Sequence, residues 1–165
     1  MFAGLVPLIL GAEFIQPYSH PRTLSLLVGP GASYTERISG NSAVSGLAAQ
    51  LDLGASLSVG YGHDEVFLMA RGSTGAPGEE VSLVGGFRSV FGDESWQTFV
   101  DLGATVRPFS GPWVGPRIGL GVRHLISDQL ALFGGLGFTF GFGSGLRGDV
   151  EAFTGVQWMF PVGSQ

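Results

Sequence analysis

The sequence predicts an all-β fold, an eight-stranded antiparallel up-and-down β-barrel that spans a membrane. The first observation is the strict alternation over residues 51–61, where Leu, Ala, Val and Tyr alternate with Asp, Gly and Ser. Side chains alternate across a strand, so this segment has one apolar and one polar face. The second is composition: 13% of the residues are charged and 29 are glycine, whereas a soluble domain carries about 25% charged residues. The third is that no uninterrupted apolar run reaches the length of a membrane-spanning helix, about 18 residues.

Composition also decides which face of the strands meets the surroundings. If the apolar face were inside, the outer wall would consist mostly of Gly, Ser and Thr, with too little charge for a soluble surface. With the apolar face outside, the wall faces lipid and the sparse polar residues fill a narrow interior. Backbone polar groups in hydrocarbon must be paired, so the strands have to close into a barrel. The 165 residues suit one domain of about eight strands.

The chain divides into an amino-terminal segment, a barrel and a short tail. Residues 1–22 contain an apolar stretch and are predicted to be a signal peptide or an amino-terminal tail. Residues 23–160 are predicted to form the transmembrane barrel, and residues 161–165 a short carboxy-terminal tail. The predicted strands are, in order, residues 23–35, 44–61, 65–72, 80–91, 96–108, 115–126, 129–141 and 148–160.

The connections between these strands have two predicted lengths. The second, fourth and sixth are tight and rich in turn residues, as in Ser127-Asp128. The first, third, fifth and seventh are longer and cover residues 36–43, 73–79, 110–114 and 142–147. Outer-membrane barrels have short periplasmic turns and longer outer loops. The pattern therefore predicts that both barrel termini are periplasmic.

Aromatic side chains with outward parity are predicted to form girdles at the two membrane interfaces. At the end that holds the termini they are Tyr61, Phe91, Trp96, Trp158 and Phe160, and at the opposite rim Tyr34, Phe140 and Phe142. Aromatic residues favour strands in general, but here parity and height along the strands both agree with a girdle.

The last strand, which reads Phe-Thr-Gly-Val-Gln-Trp-Met-Phe over residues 153–160, carries the most specific signal in the chain. With this strand and its overall strand pattern, the chain resembles the small eight-stranded outer-membrane barrels, such as the OmpA transmembrane domain and its short-looped relatives. The resemblance implies that the outer-membrane assembly machinery reads Gly155, Trp158 and Phe160. Phe153, at a position where a polar residue is usual, and the extension over residues 161–165 depart from that signal.

Charged residues with inward parity are predicted to form an ion-pair network in the lumen; they are Asp52, Glu65, Arg71, Glu80, Arg88, Asp101, Arg107, Arg117, Arg123, Asp149 and Glu151. An eight-stranded barrel is just wide enough for side chains to fill it. Desolvating an isolated charge there costs several kcal/mol, so these charges must pair. The network is either a structural plug that fixes strand register or the anion-attracting constriction of a small pore.

Assumed turn centres suggest which charges face each other. Centring the fifth connection near Pro112 places Asp101 opposite Arg123 and Arg107 opposite Arg117. Centring the third connection between residues 75 and 76 places Arg71 opposite Glu80.

Several function classes lack the residues that they need. The chain has no Cys and no Lys, which excludes thiolate catalysis, a P-loop lysine and a Schiff-base lysine. A net charge of −5 argues against a nucleic-acid surface. His20, His63 and His124 have neither metal-ligand spacing nor a nucleophile partner near the outer rim. We therefore expect no enzymatic activity, no cofactor and no metal.

The sequence favours an integral outer-membrane protein with a structural or scaffold role in the bacterial envelope, alone or as a subunit of an envelope complex. A narrow channel for ions or small solutes is the alternative, and an enzyme that modifies lipid A is a third class. The expected partners are outer-membrane lipid, the assembly machinery during biogenesis and other envelope proteins, with no nucleic acid.

Overall fold

The computed structural model describes residues 22–59, 64–76, 78–92, 95–109 and 111–162. The strands are β1 Thr23–Ser39, β2 Ser42–Val59, β3 Asp64–Gly75, β4 Glu80–Phe91, β5 Trp96–Arg107, β6 Trp113–Ser127, β7 Leu130–Gly143 and β8 Leu146–Pro161. Each strand pairs antiparallel with its neighbours in sequence, and β1 pairs with β8 to close the barrel. The predicted fold class is confirmed. None of the described residues belongs to a helix long and apolar enough to cross a bilayer.

Alternation along the strands separates an apolar exterior from a largely polar interior. Leu102 and Leu136 on the outside are 57% and 63% exposed, whereas the inward side chains of Arg88, Asp101 and Glu151 are each 1% exposed. A contiguous apolar surface of this extent is unstable against water and stable against hydrocarbon. The barrel therefore spans a membrane.

The start of β1 and the end of β8 lie at one end, which we call the terminal end, together with the second, fourth and sixth connections. The opposite end, which we call the distal end, holds the other four connections.

Two of the distal connections are shorter than the sequence suggested. The first and the seventh are two-residue turns, Gly40-Asn41 and Ser144-Gly145. Gly40 and Gly145 have φ values of 58° and 146°, which glycine adopts without steric cost in tight hairpins. Because these glycines allow the chain to reverse within two residues, strand pairing continues into the predicted loops, residues 36–43 and 142–147. The prediction of longer loops was wrong for these two connections, so loop length alone does not distinguish the two ends.

Two prolines inside strands interrupt the hydrogen-bonded ladders. The ladder between β1 and β8 skips Gly29 and Pro30, and the ladder between β6 and β7 skips Gly115 and Pro116. Proline has no N–H to donate, so it removes a hydrogen bond from any ladder that it enters.

Candidate functional site

Among the described residues, twelve charged side chains form ion pairs inside the barrel, six arginines and six carboxylates. Eleven of them are the charged residues that the sequence predicts to face the lumen, and the twelfth is Arg147. The order of inward residues along β3, which is Glu65, Phe67, Met69 and Arg71, shows that charged and apolar layers alternate from the terminal to the distal end.

The layer at the terminal end is centred on Arg123. Its Nη1 lies 2.6 Å from Glu65 Oε1, and its Nε and Nη2 donate to Gln97 Oε1 at 2.9 and 2.7 Å. Ser56 Oγ donates to the other Glu65 oxygen at 2.8 Å. Gln157, also fully buried, donates to Ser25 Oγ at 3.0 Å. The charges of this layer are thus both paired and hydrogen-bonded.

An apolar layer crosses the lumen next; it consists of Leu27, Phe67, Met69, Val84, Val90, Phe99 and Phe133, with Phe153 packed against it. Inward glycines provide the space for the rings. A Cβ at Gly121 would collide with the Phe99 ring, and a Cβ at Gly155 would lie 2.6 Å from Phe133 Cζ. The rings of Phe99 and Phe133 both lie 6.4 Å from that of Phe153, centroid to centroid. This layer is apolar packing within the barrel.

The central layer is a chain of alternating charges that runs Arg88, Asp101, Arg117, Glu151, Arg71, Asp52. Arg88 donates to both oxygens of Asp101 at 2.7 and 3.0 Å. Arg117 lies 3.5 Å from Asp101 and 3.0 Å from Glu151. Arg71 lies 2.6 Å from Glu151. It also donates two hydrogen bonds to Asp52, at 2.7 and 2.8 Å. Each of these six charged side chains contacts an opposite charge, which offsets the cost of desolvating it.

The distal layer is a second chain, Arg107, Glu80, Arg147, Asp149. Glu80 accepts from Arg107 through one oxygen and from Arg147 through the other, the latter at 2.5 Å. Arg147 Nε lies 2.9 Å from Asp149, which also accepts from Thr35 Oγ1 at 2.5 Å. Arg107 additionally donates to the carbonyl of Gly111 at 2.9 and 3.2 Å.

Little space remains between these layers. A void of about 20 Å³ lies in the distal layer, and one of about 10 Å³ adjoins Arg88 and Arg117. Since a buried water needs about 10 to 15 Å³, each void has room for one or two water molecules. Side chains fill the lumen.

The predicted charge pairs were wrong, although their parity was right. The β5–β6 register places Asp101 opposite Gly119 instead of Arg123 and Arg107 opposite Trp113 instead of Arg117. The β3–β4 register places Arg71 opposite Ser82 instead of Glu80. Both turns are centred away from the assumed positions. In addition, some long side chains cross the narrow lumen, so that four of the ion pairs join strands that are not adjacent.

Sequence reasoning missed two kinds of lumen residue. The last predicted strand begins at residue 148, so the sequence places Arg147 in a loop, whereas β8 begins at Leu146. Phe67, Phe99 and Phe133 are missed because the prediction of the lumen considers only charged residues with inward parity. Their inward parity was itself the signal that could have found them.

The aromatic residues of the predicted girdles lie on the exterior. Phe91, Trp96, Trp158 and Phe160 are exposed near the terminal end, with Tyr34, Phe140 and Phe142 exposed near the distal end. Tyr61 lies outside the described residues. Of the predicted assembly signal, Gly155 points inward, whereas Trp158 and Phe160 point outward.

His124 lies on the outer wall near the terminal end. Its ring stacks on Trp96 with 4.4 Å between centroids, and its Nδ1 lies 3.2 Å from the carbonyl oxygen of Ser95. His20 and His63 lie outside the described residues. No group of three or more His, Asp or Glu among the described residues could hold a metal ion.

Known structures share this architecture. Neisserial surface protein A superposes with a TM-score of 0.63 at 12% identity, over 82% of this chain and 97% of that one. The amino-terminal β-barrel domain of Pseudomonas aeruginosa OprF gives 0.54 at 14% identity, over 81% and 97%. Ail, the attachment invasion locus protein of Yersinia pestis, in complex with the heparin analogue sucrose octasulfate, gives 0.51 at 8% identity, over 84% and 99%. Neither a family profile nor a curated protein sequence matches the chain.

These likenesses establish the fold. The chain has the architecture of the small eight-stranded transmembrane β-barrels, and the three neighbours named above are barrels of bacterial outer membranes. At such low sequence identities the neighbours' functions do not transfer with the fold.

Proposed function

We propose that the protein is an integral outer-membrane protein of a diderm bacterium whose barrel does not conduct and whose role is structural. It anchors or braces the envelope, alone or as a subunit of an envelope complex. The observation that carries the proposal is the apolar layer around Phe99 and Phe133, which separates the terminal charges from the central ones.

A conducting path would have to cross this layer. An ion there would lose its hydration against the rings, and the guanidinium of Arg88 that lies over Phe99 is already paired with Asp101, so the crossing costs several kcal/mol or more. The charges on both sides are already paired, so none is free to draw an ion through. A narrow channel remains the alternative function, and conductance distinguishes the two.

The outer wall supports a scaffold role. It offers apolar side chains along its whole circumference to lipid and to the transmembrane surface of other proteins. The described residues hold no nucleophile and base pair of the kind that a lipid-modifying enzyme needs, because His124 stacks on Trp96 at the membrane interface. We therefore propose a protein without catalytic activity.

We also propose that the terminal end is periplasmic. An even strand number puts both termini on one side. The β1–β2 hairpin extends beyond β3 at the distal end, since pairing stops at Ala48↔Gly75 while β2 continues to Ser42. Extended hairpins are typical of the outer face of such barrels.

Planar-bilayer recording tests the closed lumen. The wild-type barrel should show no steady open level, and the double variant Phe99→Ala and Phe133→Ala should show one because it removes two rings from the apolar layer. A steady wild-type current that changes on Arg117→Ala would overturn the proposal and favour the channel.

Cysteine labelling tests the orientation. The chain contains no Cys, so a single cysteine at Asn41 or at Asp128 reports one side without background. A membrane-impermeant maleimide should label Asn41→Cys on intact cells and Asp128→Cys only after lysis. The reverse pattern would invert the orientation.

Affinity purification from detergent-solubilised envelopes tests the scaffold role. A stoichiometric envelope complex that disappears when the outer wall is altered would support it. A barrel that purifies alone, from cells whose envelope is unaffected by its loss, would contradict it.

A further inference from the structure

Three buried polar side chains surround the void in the distal layer without a hydrogen-bond partner. They are Gln50, Thr105 and Trp113, which line the same void and are 6%, 6% and 5% exposed. Within the described part of the chain, Gln50 Nε2, Thr105 Oγ1 and Trp113 Nε1 make no hydrogen bond. Buried polar groups are nearly always satisfied by protein, water or ligand, so three such atoms around one void indicate that the void is occupied in the folded protein.

The chemistry of these atoms specifies an acceptor. The indole N–H and the amide NH₂ only donate, and the threonine hydroxyl can donate as well. A water molecule accepts about two hydrogen bonds and brings two hydrogens that need acceptors of their own. A monatomic anion accepts from all three groups and brings no hydrogen.

The charges that line the void are already paired with one another. Three arginines, Arg71, Arg107 and Arg147, face it with two carboxylates, Glu80 and Asp149. The carboxylates are bound to arginine or hydroxyl donors. Arg71 also pairs with Asp52 and Glu151, so the charges around the void are balanced, and the three unpartnered donors are what would hold an anion there.

Size limits the class of anion. The volume of about 20 Å³ accommodates a chloride or bromide ion, which is slightly larger than a water molecule. A tetrahedral oxyanion or a carboxylic acid does not fit.

The void lies beside a groove at the distal rim. A groove of about 640 Å³ in the wall shares the lining residues Gln50, Ser73, Glu80 and Arg107 with the void. The β4–β5 ladder ends here at Leu83↔Val106, although β4 begins at Glu80. At this gap the Arg107–Glu80 ion pair bridges the two strands in place of backbone hydrogen bonds.

We propose that the distal end of the lumen binds one chloride-sized anion between Gln50, Thr105 and Trp113. The site is a dead end, because the central and apolar layers lie below it. Bound halide completes the packing of the distal layer and stabilises the folded barrel.

The test is thermal unfolding of the detergent-folded barrel at constant ionic strength, with sodium bromide or chloride replacing sodium gluconate. The unfolding midpoint should rise with halide concentration and saturate, as expected for a ligand that binds only the folded state. Trp113→Phe keeps most of the ring and removes the N–H, so the apparent halide affinity should fall about tenfold or more. Trp96→Phe, the same substitution on the outer wall, should keep the wild-type dependence.

A second variant and a second measurement keep the proposal open to refutation if Trp113→Phe does not fold. Thr105→Val removes the hydroxyl at nearly constant shape and should weaken halide binding in the same way. Crystals grown with bromide should show an anomalous peak between the three side chains. The proposal fails if stability does not depend on halide, if both variants keep the dependence, or if the crystals show water at that place.

Discussion

The guanidinium of Arg88 lies over the ring of Phe99, with 4.1 Å between Cζ and the ring centroid. The same group donates two hydrogen bonds to Asp101, and the rings of Phe67 and Phe133 flank it at 5.4 and 5.8 Å. Arg88 thus joins the apolar layer to the central chain of charges. Arginine suits this position because its guanidinium is planar, weakly hydrated and able to stack while it makes bidentate hydrogen bonds.

Replacing Arg88 with methionine should destabilise the barrel strongly. Asp101 is fully buried and would keep only Arg117, at 3.5 Å, as an ionic partner. We expect a loss of about 3 to 5 kcal/mol in the free energy of unfolding, the usual cost of removing one member of a buried pair. Urea titration of the folded barrel in lipid vesicles measures it.

The double variant Arg88→Met and Asp101→Leu separates pairing from packing. It removes both charges, so its loss should be smaller than the sum of the two single losses. Additive losses would show that the two side chains are not energetically coupled.

The cost of a charge on the outer wall should depend on depth. Leu120 is the middle outward residue of β6, and Leu57 lies two residues from the end of β2. Leu120→Arg should cost about 2 to 4 kcal/mol and Leu57→Arg about 0 to 1 kcal/mol, because arginine near an interface can reach water. Equal costs in the same vesicle titration would contradict the placement of the membrane.

Close approach of β4 and β5 requires glycine at the pair Gly86↔Gly103. A Cβ at Gly86 would lie 2.6 Å from the Gly103 Cα, whereas a Cβ at Gly72 would have no heavy atom within 4 Å. Gly86→Ala should therefore cost about 1 to 3 kcal/mol through overpacking. Gly72→Ala is the matched control and should change stability by less than about 0.5 kcal/mol. A Gly86 variant as stable as the control would show that the strands can separate at no cost.

The last strand should control assembly in cells more than stability. Trp158 and Phe160 point into lipid, and the resemblance to small outer-membrane barrels assigns them to the assembly signal. Replacing both with alanine should delay insertion, measured as the fraction of heat-modifiable barrel in the membrane, while refolding in detergent persists. Phe142→Ala removes a ring from the opposite rim and should insert normally. Normal insertion of the double variant would show that the signal lies elsewhere.

Alternation and composition sufficed to predict the fold because hydrocarbon allows few solutions. A sheet with one apolar face and too little charge for a soluble surface has to close with that face outward. Parity then placed the charged residues in the lumen, since a one-residue slip would expose them to lipid.

The ion partners could not be predicted in the same way. Which residues face each other depends on the centre of each turn. A strand register that is wrong by two residues keeps the same side chains inward, so parity does not reveal the error. Arg123 shows a further reason, since its carboxylate partner Glu65 lies on β3, which is not a neighbour of β6.

The apolar layer was hidden by local composition. Phe67 and Met69 lie within the run Val-Phe-Leu-Met-Ala, residues 66–70, where inward and outward residues are equally apolar. In such a run the sequence does not show which side chains point inward. Only the parity of the flanking charges Glu65 and Arg71 identifies them.

Pro30 interrupts the pairing of β1 with β8, the contact that closes the barrel. The first and last strands meet only when the whole polypeptide is present, and the skipped pairs divide their contact into two separate hydrogen-bonded stretches. We expect amide hydrogens beside this gap to exchange with solvent deuterium sooner than those at the same height elsewhere, which makes it the place where the closed ring first opens.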